Sequence, residues 1–314
     1  MAKDFTAQAL ALQLKRRGSM PTSQSLFQVS DLIQFMSEEV QSTIAPKMTA
    51  VREEYFVHIE DVPIVTTQES YALPTRAMGN ALRDYCLLDS AGSEINLPRL
   101  VPEVLKTNPA QTSNRLFGAY LQNEKLFIFP NTDGFPGYSV RFRYMRRPSD
   151  LVEKSSASQI TAINPTLNEV TVSSAVSTWT TATEFDFIGN ASPFVSKGDD
   201  RTINSLVTNV LTFDNTLPTD LAIGDWVVEA MFSPVPQIPY QAFNWLAQLG
   251  VIRSMDALTD EKSLKNAYTA ADRMEADFIK LITPRVQGSV QRINNRNGIF
   301  DWSSGFGTRR GGTY

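Results

Sequence analysis

Ser139-Val-Arg-Phe-Arg-Tyr-Met145 alternates small or charged residues with large apolar ones, the period of two that a half-buried β-strand requires. The chain on either side of it reads the same way. Upstream, Gly118-Ala-Tyr-Leu-Gln122 and Lys125-Leu-Phe-Ile-Phe-Pro130 flank a turn at Asn123–Glu124 and predict a hairpin. Arg83 to Asp89 alternates into a second turn, Ser90-Ala-Gly-Ser93, followed by Glu94-Ile-Asn-Leu97. Phe56-Val-His-Ile-Glu60, Ile64-Val-Thr-Thr67 and Ser70-Tyr-Ala-Leu73 are short β-branched or aromatic pieces between turn residues, and 98–113 reads as a short helix and loop. Downstream, a second β-rich block runs from about Lys154 to Phe232, introduced by Ser155-Ser-Ala-Ser158. Its pieces are Gln159–Ile163, Glu169–Val172, Glu184–Ile188, Ile203–Val207, Val210–Phe213 and Asp225–Val228. Turn-rich connections join them, among them Ser196-Lys-Gly-Asp-Asp200, and strands at this spacing predict a small closed barrel.

Helices bracket this β-rich middle. Asp4 to Arg17 has a possible cap in Asp4 and a stop in Gly18 and Pro21. A second helix starts at Ser30 with Ile33, Phe35, Met36, Val40 and Ile44 near the helical period, is interrupted or restarted at Pro46, and runs towards Tyr55. After Ser233-Pro-Val-Pro-Gln-Ile-Pro239, Pro239 suits the first turn of a helix carrying Phe243, Leu246, Ala247 and Met255. The last helix, about Asp260 to Thr283, spaces Leu264, Ala267, Ala271, Met274, Phe278 and Leu281 three or four apart, and Pro284 ends it. Segregated helices and strands imply an α+β fold: a helical bundle from the N- and C-terminal helices, a β-sheet region, and an inserted small β-barrel. The expected parts are 1–153, the inserted domain 154–232, the helices 233–287 that complete the bundle, and an extended arm 288–314.

The chain has 314 residues, a net charge of −4, one cysteine and one histidine. No apolar run approaches a membrane span, and Met1-Ala-Lys-Asp-Phe5 has no apolar signal core. A single cysteine and no export signal fit a chain that folds in reducing cytoplasm. The charge is uneven: 285–314 carries five arginines against Asp301, so this tail is +4 and the rest −8. An acidic body argues against a general nucleic-acid binder and suggests a protein that docks by its end.

Residues able to do chemistry are few. His58 lies in an alternating stretch with no serine elbow to serve, and Cys86 between Tyr85 and Leu87 reads as buried packing. One histidine and one cysteine cannot build a zinc-type cluster. Glu184 and Asp186 alternate onto one strand face and Asp199-Asp200 sit in a predicted turn; the expectation for these acids is solvated surface. Gly305-Phe-Gly-Thr-Arg-Arg-Gly-Gly312 lacks the flanking strand and helix of a phosphate loop. Neither catalysis nor a cofactor is expected. The arm from Gly288 carries Arg292, Arg296, Phe300, Trp302, Phe306, Arg309, Arg310 and Tyr314, a mixture of aromatics and arginines suited to anchoring a protein partner.

Ile223-Gly-Asp-Trp-Val227, Ser233-Pro-Val-Pro-Gln-Ile-Pro239, Gln241-Ala-Phe-Asn-Trp-Leu-Ala247 and Ile282-Thr-Pro-Arg-Val-Gln-Gly288 resemble tailed-phage head-to-tail adaptor (neck ring) proteins of the tail-tubular kind. So do Tyr71-Ala-Leu-Pro-Thr-Arg-Ala-Met-Gly79, the Ser-Ala-Gly hairpin and the early helix from Ser30. The resemblance spans most of the chain, and its motifs are structural; the block 154–232 exceeds the smaller members of the family. It implies a virion protein, a ring of copies (usually a dodecamer) between the portal protein and a tail or nozzle protein, through which genomic DNA passes without sequence-specific binding. It implies no membrane partner. Two other classes stay open, a tail-associated carbohydrate-binding or depolymerase protein and a head-completion or scaffolding protein.

Overall fold

The computed structural model describes residues 4–20, 26–65, 68–101, 118–129, 135–258 and 261–283. Helix α1 (Ala7–Arg17) is capped by Thr6, whose hydroxyl accepts the Ala9 N–H at 3.3 Å. Asp4 is not the cap as expected; its carboxylate accepts the Thr6 N–H at 3.0 Å and so braces the residue that is. Helix α2 (Val29–Glu39) opens with Asp31 accepting the Gln28 N–H at 2.8 Å. A π-helical turn, Val40–Ile44, then leads into α3 (Ala45–Val51). Pro46 falls in the first turn of α3, where its missing N–H is least costly, and the widened turn before it absorbs the change of register. The helix stops at Val51, short of the expected Tyr55; Glu53–Tyr55 is a lone 3₁₀ turn.

Four antiparallel strands make the first sheet, in the order β1 (Val57–Pro63), β7 (Ser139–Arg146), β3 (Ala77–Leu88), β4 (Glu94–Asn96). The alternation of 139–145 is realised in central β7, whose Val140, Phe142 and Tyr144 are buried. Beside it lies a three-stranded sheet ordered β2 (Ser70–Ala72), β6 (Lys125–Phe129), β5 (Gly118–Gln122). Asn123 and Glu124 both take positive φ, 50° and 57°, the hand a two-residue hairpin needs. Gly118 is required by a close approach: a Cβ there would lie 2.3 Å from the Pro98 carbonyl oxygen. One expectation fails here: Ile64 is in no strand, being tied to Tyr138 by a backbone bond. Of the stretch 98–113, expected to be a short helix and loop, Arg99 bridges in parallel to Ala119, and 102–113 lie outside the described residues.

The chain then makes a short strand β8 (Asp150–Leu151), and the last strand, β16 (Phe232–Ser233), returns parallel to it. Between them stands a seven-stranded sheet: β9 (Ala157–Asn164), β10 (Glu169–Val172), β11 (Phe185–Ile188), β12 (Ser196–Arg201), β13 (Ile203–Val207), β14 (Val210–Phe213) and β15 (Trp226–Glu229). Their spatial order is β12-β11-β15-β9-β10-β14-β13. The expected closed barrel is not formed. The two edge strands, β12 and β13, follow one another through Thr202 but do not pair with each other. The polar run Ser196–Asp200, expected to be a connection, is most of an edge strand.

This block has its own core around Ile160, Val170, Trp179, Phe185, Phe187 and Phe213. It also lends Ala157, Ile188, Phe194, Trp226 and Val228 to a second core, built mainly by helices from both ends of the chain. Those are α1, α2, α3, α4 (Phe243–Ala257) and α5 (Glu261–Ile282). Gly250 of α4 allows α1 close contact, since a Cβ there would stand 2.3 Å from Leu14 Cδ1. The predicted stripe of α5 buries Ala267, Ala271 and Phe278, but at its end Ile282 turns inward and Leu281 is 59% exposed. From Phe278 the helical period reaches the same face at the fourth residue on. The fold is thus mixed α and β, with several antiparallel sheets. Among the described residues no helix is long and apolar enough to cross a membrane.

Candidate functional site

The densest chemistry lies where the first sheet meets the edge of the inserted block. Leu73-Pro74-Thr75-Arg76 leaves β2 in a tight turn, closed by the Ala77 N–H on the Pro74 carbonyl at 3.0 Å. The turn drives Arg76 inward until only 4% of it is exposed. Its Nη1 and Nη2 donate to the two oxygens of Asp186 at 2.7 and 2.9 Å. On its other edge Nε donates to Asp200 at 3.0 Å, and Nη2 donates to the same carboxylate. Asp186, on β11, is fully buried and also accepts the N–H groups of Asp200 at 3.1 Å and Met231 at 3.0 Å. Each partner is thereby satisfied, as a buried charge must be.

Around this pair the cluster spreads towards solvent. Asp199 accepts from Arg146 Nη2 at 2.7 Å and from the Ser196 hydroxyl. His58 Nε2 stands 3.7 Å from Asp199, and its ring meets Tyr144 edge-on at 5.5 Å. Tyr144 donates its hydroxyl to Glu60 at 3.1 Å. Burial works against the Arg76 charge, but hydrogen bonds to Asp200 and Asp186 outweigh it and raise its pKa above the ordinary arginine value. Burial lowers the pKa of His58 despite the pull of Asp199, and burial raises those of Glu60 and Tyr144. Two clefts flank the cluster and share His58. One, of about 450 Å³, is lined by Glu60, Arg76, Tyr144, Asp199 and Asp200; the other, of about 280 Å³, by Tyr55, Phe56, Arg146, Val195 and Gln237.

The acids expected at the surface therefore divide. Glu184 is exposed, but Asp186 is wholly buried and salt-bridged, because Phe185–Ile188 is covered on both faces. Asp199 and Asp200 sit on edge strand β12, not in a turn, and they converge with Asp186 on Arg76. A carboxylate held by an arginine and two backbone amides is a fastening, with no lone pair left over for a proton transfer. Cys86 is buried in β3, and burial raises its thiol pKa. Among the described residues no group of three or more His, Cys, Asp or Glu could hold a metal ion. The expected partner-binding residues Arg292, Arg296, Phe300, Trp302, Phe306, Arg309, Arg310 and Tyr314, and the glycine-rich 305–312, lie outside the described residues.

Sequence reasoning missed Arg76 and Arg146 as a pair, although both left a trace. Arg146 continues the inward register of Val140, Phe142 and Tyr144, so a charge on the apolar face was legible. Asp186 likewise interrupts the apolar run Phe185-Asp-Phe-Ile188. No family model matches the chain, and no curated protein matches its sequence.

Proposed function

We propose that the chain is a structural subunit of a tailed-phage neck: a head-to-tail adaptor that forms a closed ring between portal and tail and continues the DNA channel. Its helices form the bundle of that ring subunit, and the block 154–232 is a β-sheet module inserted into it. The arginines and aromatics of 288–314 are its partner contact. What carries the reading is where the segments that resemble the adaptor family fall. Tyr71–Gly79 supplies Arg76, and Ile223–Val227 supplies buried Asp225 and Trp226. Ser233–Pro239 pairs with β8 and accepts the Ala7 N–H on the Pro234 carbonyl at 2.8 Å. Gln241–Ala247 contributes Phe243, Trp245 and Leu246 to the helical core. The shared segments thus hold the framework together, which supports a likeness of architecture over one of catalysis. The test is to tag the chain in the virion and image the neck. A closed ring of tagged copies beneath the portal is expected. One or two copies, or a location outside the neck, overturns the proposal, as does polysaccharide cleavage that a single substitution abolishes.

A further inference from the structure

Charge is divided unevenly along this chain. Of the −8 carried by residues 1–284, the inserted block 154–232 holds −6, nine carboxylates against Lys154, Lys197 and Arg201. Those three cations are engaged elsewhere. Lys197 donates to buried Asp225 at 2.7 Å and to the Asp220 carbonyl at 2.6 Å. Arg201 reaches the Thr216 carbonyl at 3.5 Å, and the Lys154 ammonium lies 5.8 Å over the Trp226 ring. Glu184, Asp214, Asp220 and Glu229 are exposed, and no described cation pairs with them. Two of these, Asp214 and Asp220, lie on the segment joining β14 to β15. With them stands Ile223, at 70% exposure the barest large apolar side chain among the described residues. Backbone bonds hold this segment: Asp214 N–H to the Thr202 carbonyl at 3.1 Å, and Gly224 N–H to the Ile160 carbonyl at 2.8 Å. At its start, Phe213 N–H donates to the Asn168 carbonyl at 2.9 Å, which sets the turn carrying exposed Leu167 beside it.

We propose that this surface of the block, Asp214 to Gly224 with the turn at Leu167, is the docking site for the stretch 285–314 of a neighbouring copy. The proposal rests on the ring reading above and names the partner that the stretch engages. Charge complementarity carries it. The stretch holds five arginines against Asp301, and the surface offers carboxylates that no cation of their own neutralises. An arginine added there makes a charge-assisted bond without first displacing another cation. The apolar parts match as well: Phe300, Trp302, Phe306 and Tyr314 are side chains that anchor interfaces, and Ile223 and Leu167 stand uncovered between the acids. Surface and stretch are different parts of one chain. The contact therefore runs head to tail from copy to copy, the arrangement that makes a ring when its rotation closes.

The test uses a fluorescent peptide of residues 285–314 and the full chain as receptor. In the receptor Arg285, Arg292, Arg296, Arg309 and Arg310 are each changed to Gln, so that its own stretch does not compete. Fluorescence anisotropy at low salt should rise saturably as receptor is added, and the affinity should fall as salt is raised. Asp214→Lys combined with Asp220→Lys should weaken the binding at least tenfold. Asp256→Lys combined with Asp277→Lys, at exposed acids outside the block, should leave it within twofold. Melting curves establish that the variants fold, and Asp214→Asn with Asp220→Asn serves if the lysine pair does not. No saturable rise, equal binding of a peptide with the same residues in scrambled order, or equal weakening by the two lysine pairs overturns the proposal. The image of the neck judges the ring reading separately. A ring of tagged copies without this binding removes the docking site and leaves the ring, and binding without a ring removes the ring and leaves a contact between copies.

Discussion

Two arginine–carboxylate networks of similar connectivity stand on this molecule, one inside and one outside. On the outer face of the first sheet, Arg141 holds Asp61 with two bonds, at 2.7 and 2.8 Å, and reaches Glu94 at 2.8 Å. Arg143 bridges Asp84 at 3.1 Å and shares Glu94. Arg141 stands opposite Asp61, and Arg143 opposite Asp84, in the strand register. These are cross-strand pairs in reach of water, where solvent and salt screen the attraction. At the seam, Arg76 meets Asp186 and Asp200 with equally good geometry, but Asp186 has no contact with solvent. The number of bonds is alike; what separates the two is the cost of leaving one partner behind. Losing a partner outside hands the survivor to water, and losing one inside strands a charge.

Breaking the inner network should therefore have the largest effect. Arg76→Ala leaves Asp186 buried and unpaired and is expected to cost about 3–5 kcal/mol of unfolding free energy, read from urea denaturation. The double replacement Arg76→Met with Asp186→Leu should cost clearly less than the single change, because Asp186 is no longer left as an unpaired buried charge. If the double variant is the weaker, the pair is stabilising outright and the comparison needs a different account.

An intermediate case sharpens it. Asp225 is nearly buried and accepts from Lys197 at 2.7 Å and from the backbone N–H groups of Asn190 and Ala222 at 2.9 and 2.8 Å. With two backbone donors left in place, Lys197→Ala should cost about 1–3 kcal/mol. A loss as large as that of Arg76→Ala would show that the backbone donors count for little.

His58 sets the pH response of the seam, with Asp199, Glu60, Tyr144, Arg76 and Arg146 around it. Burial lowers its folded pKa, whereas the unfolded chain takes up the proton near the ordinary value of about 6.5. The unfolded state therefore binds more protons as pH drops, so stability is full above about 6.5 and declines as pH falls towards the folded pKa. His58→Gln should flatten this slope in melts taken at successive pH values. A slope that persists in the variant assigns the response to other groups. The smallest effect belongs to the outer ladder. Arg141→Ala should leave the denaturation midpoint within its scatter, and any difference should vanish at high salt. A loss comparable to that of Arg76→Ala would erase the distinction between the networks.

Local signals carried far in this chain. The alternation in 139–145, the hairpin turns at Asn123–Glu124 and Ser90–Ser93, and the helical stripe through Ala267, Ala271 and Phe278 were all readable, because each is set by neighbours a few residues apart. Edge strand β12 was not. Ser196-Lys-Gly-Asp-Asp-Arg201 has the composition of a turn, and only its irregular pairing with β11 (Phe187 opposite Gly198, Ile188 opposite Ser196) makes it extended. The open sheet has the same origin, since nothing local reveals that β12 and β13 occupy opposite edges.

By itself the sequence determined the α+β class, most of the strands, the scarcity of reactive groups and the separation of an acidic body from a basic tail, all of them consequences of composition and short-range period. Tertiary structure alone decided which charges are inside. Asp186 lies 110 residues from Arg76, and Asp200 lies 124 from it, so no local pattern couples them. They become partners because the turn after β2 carries Arg76 to the edge of the inserted block, where Asp186 is shut off from water and a charge survives only if an opposite one is fixed beside it.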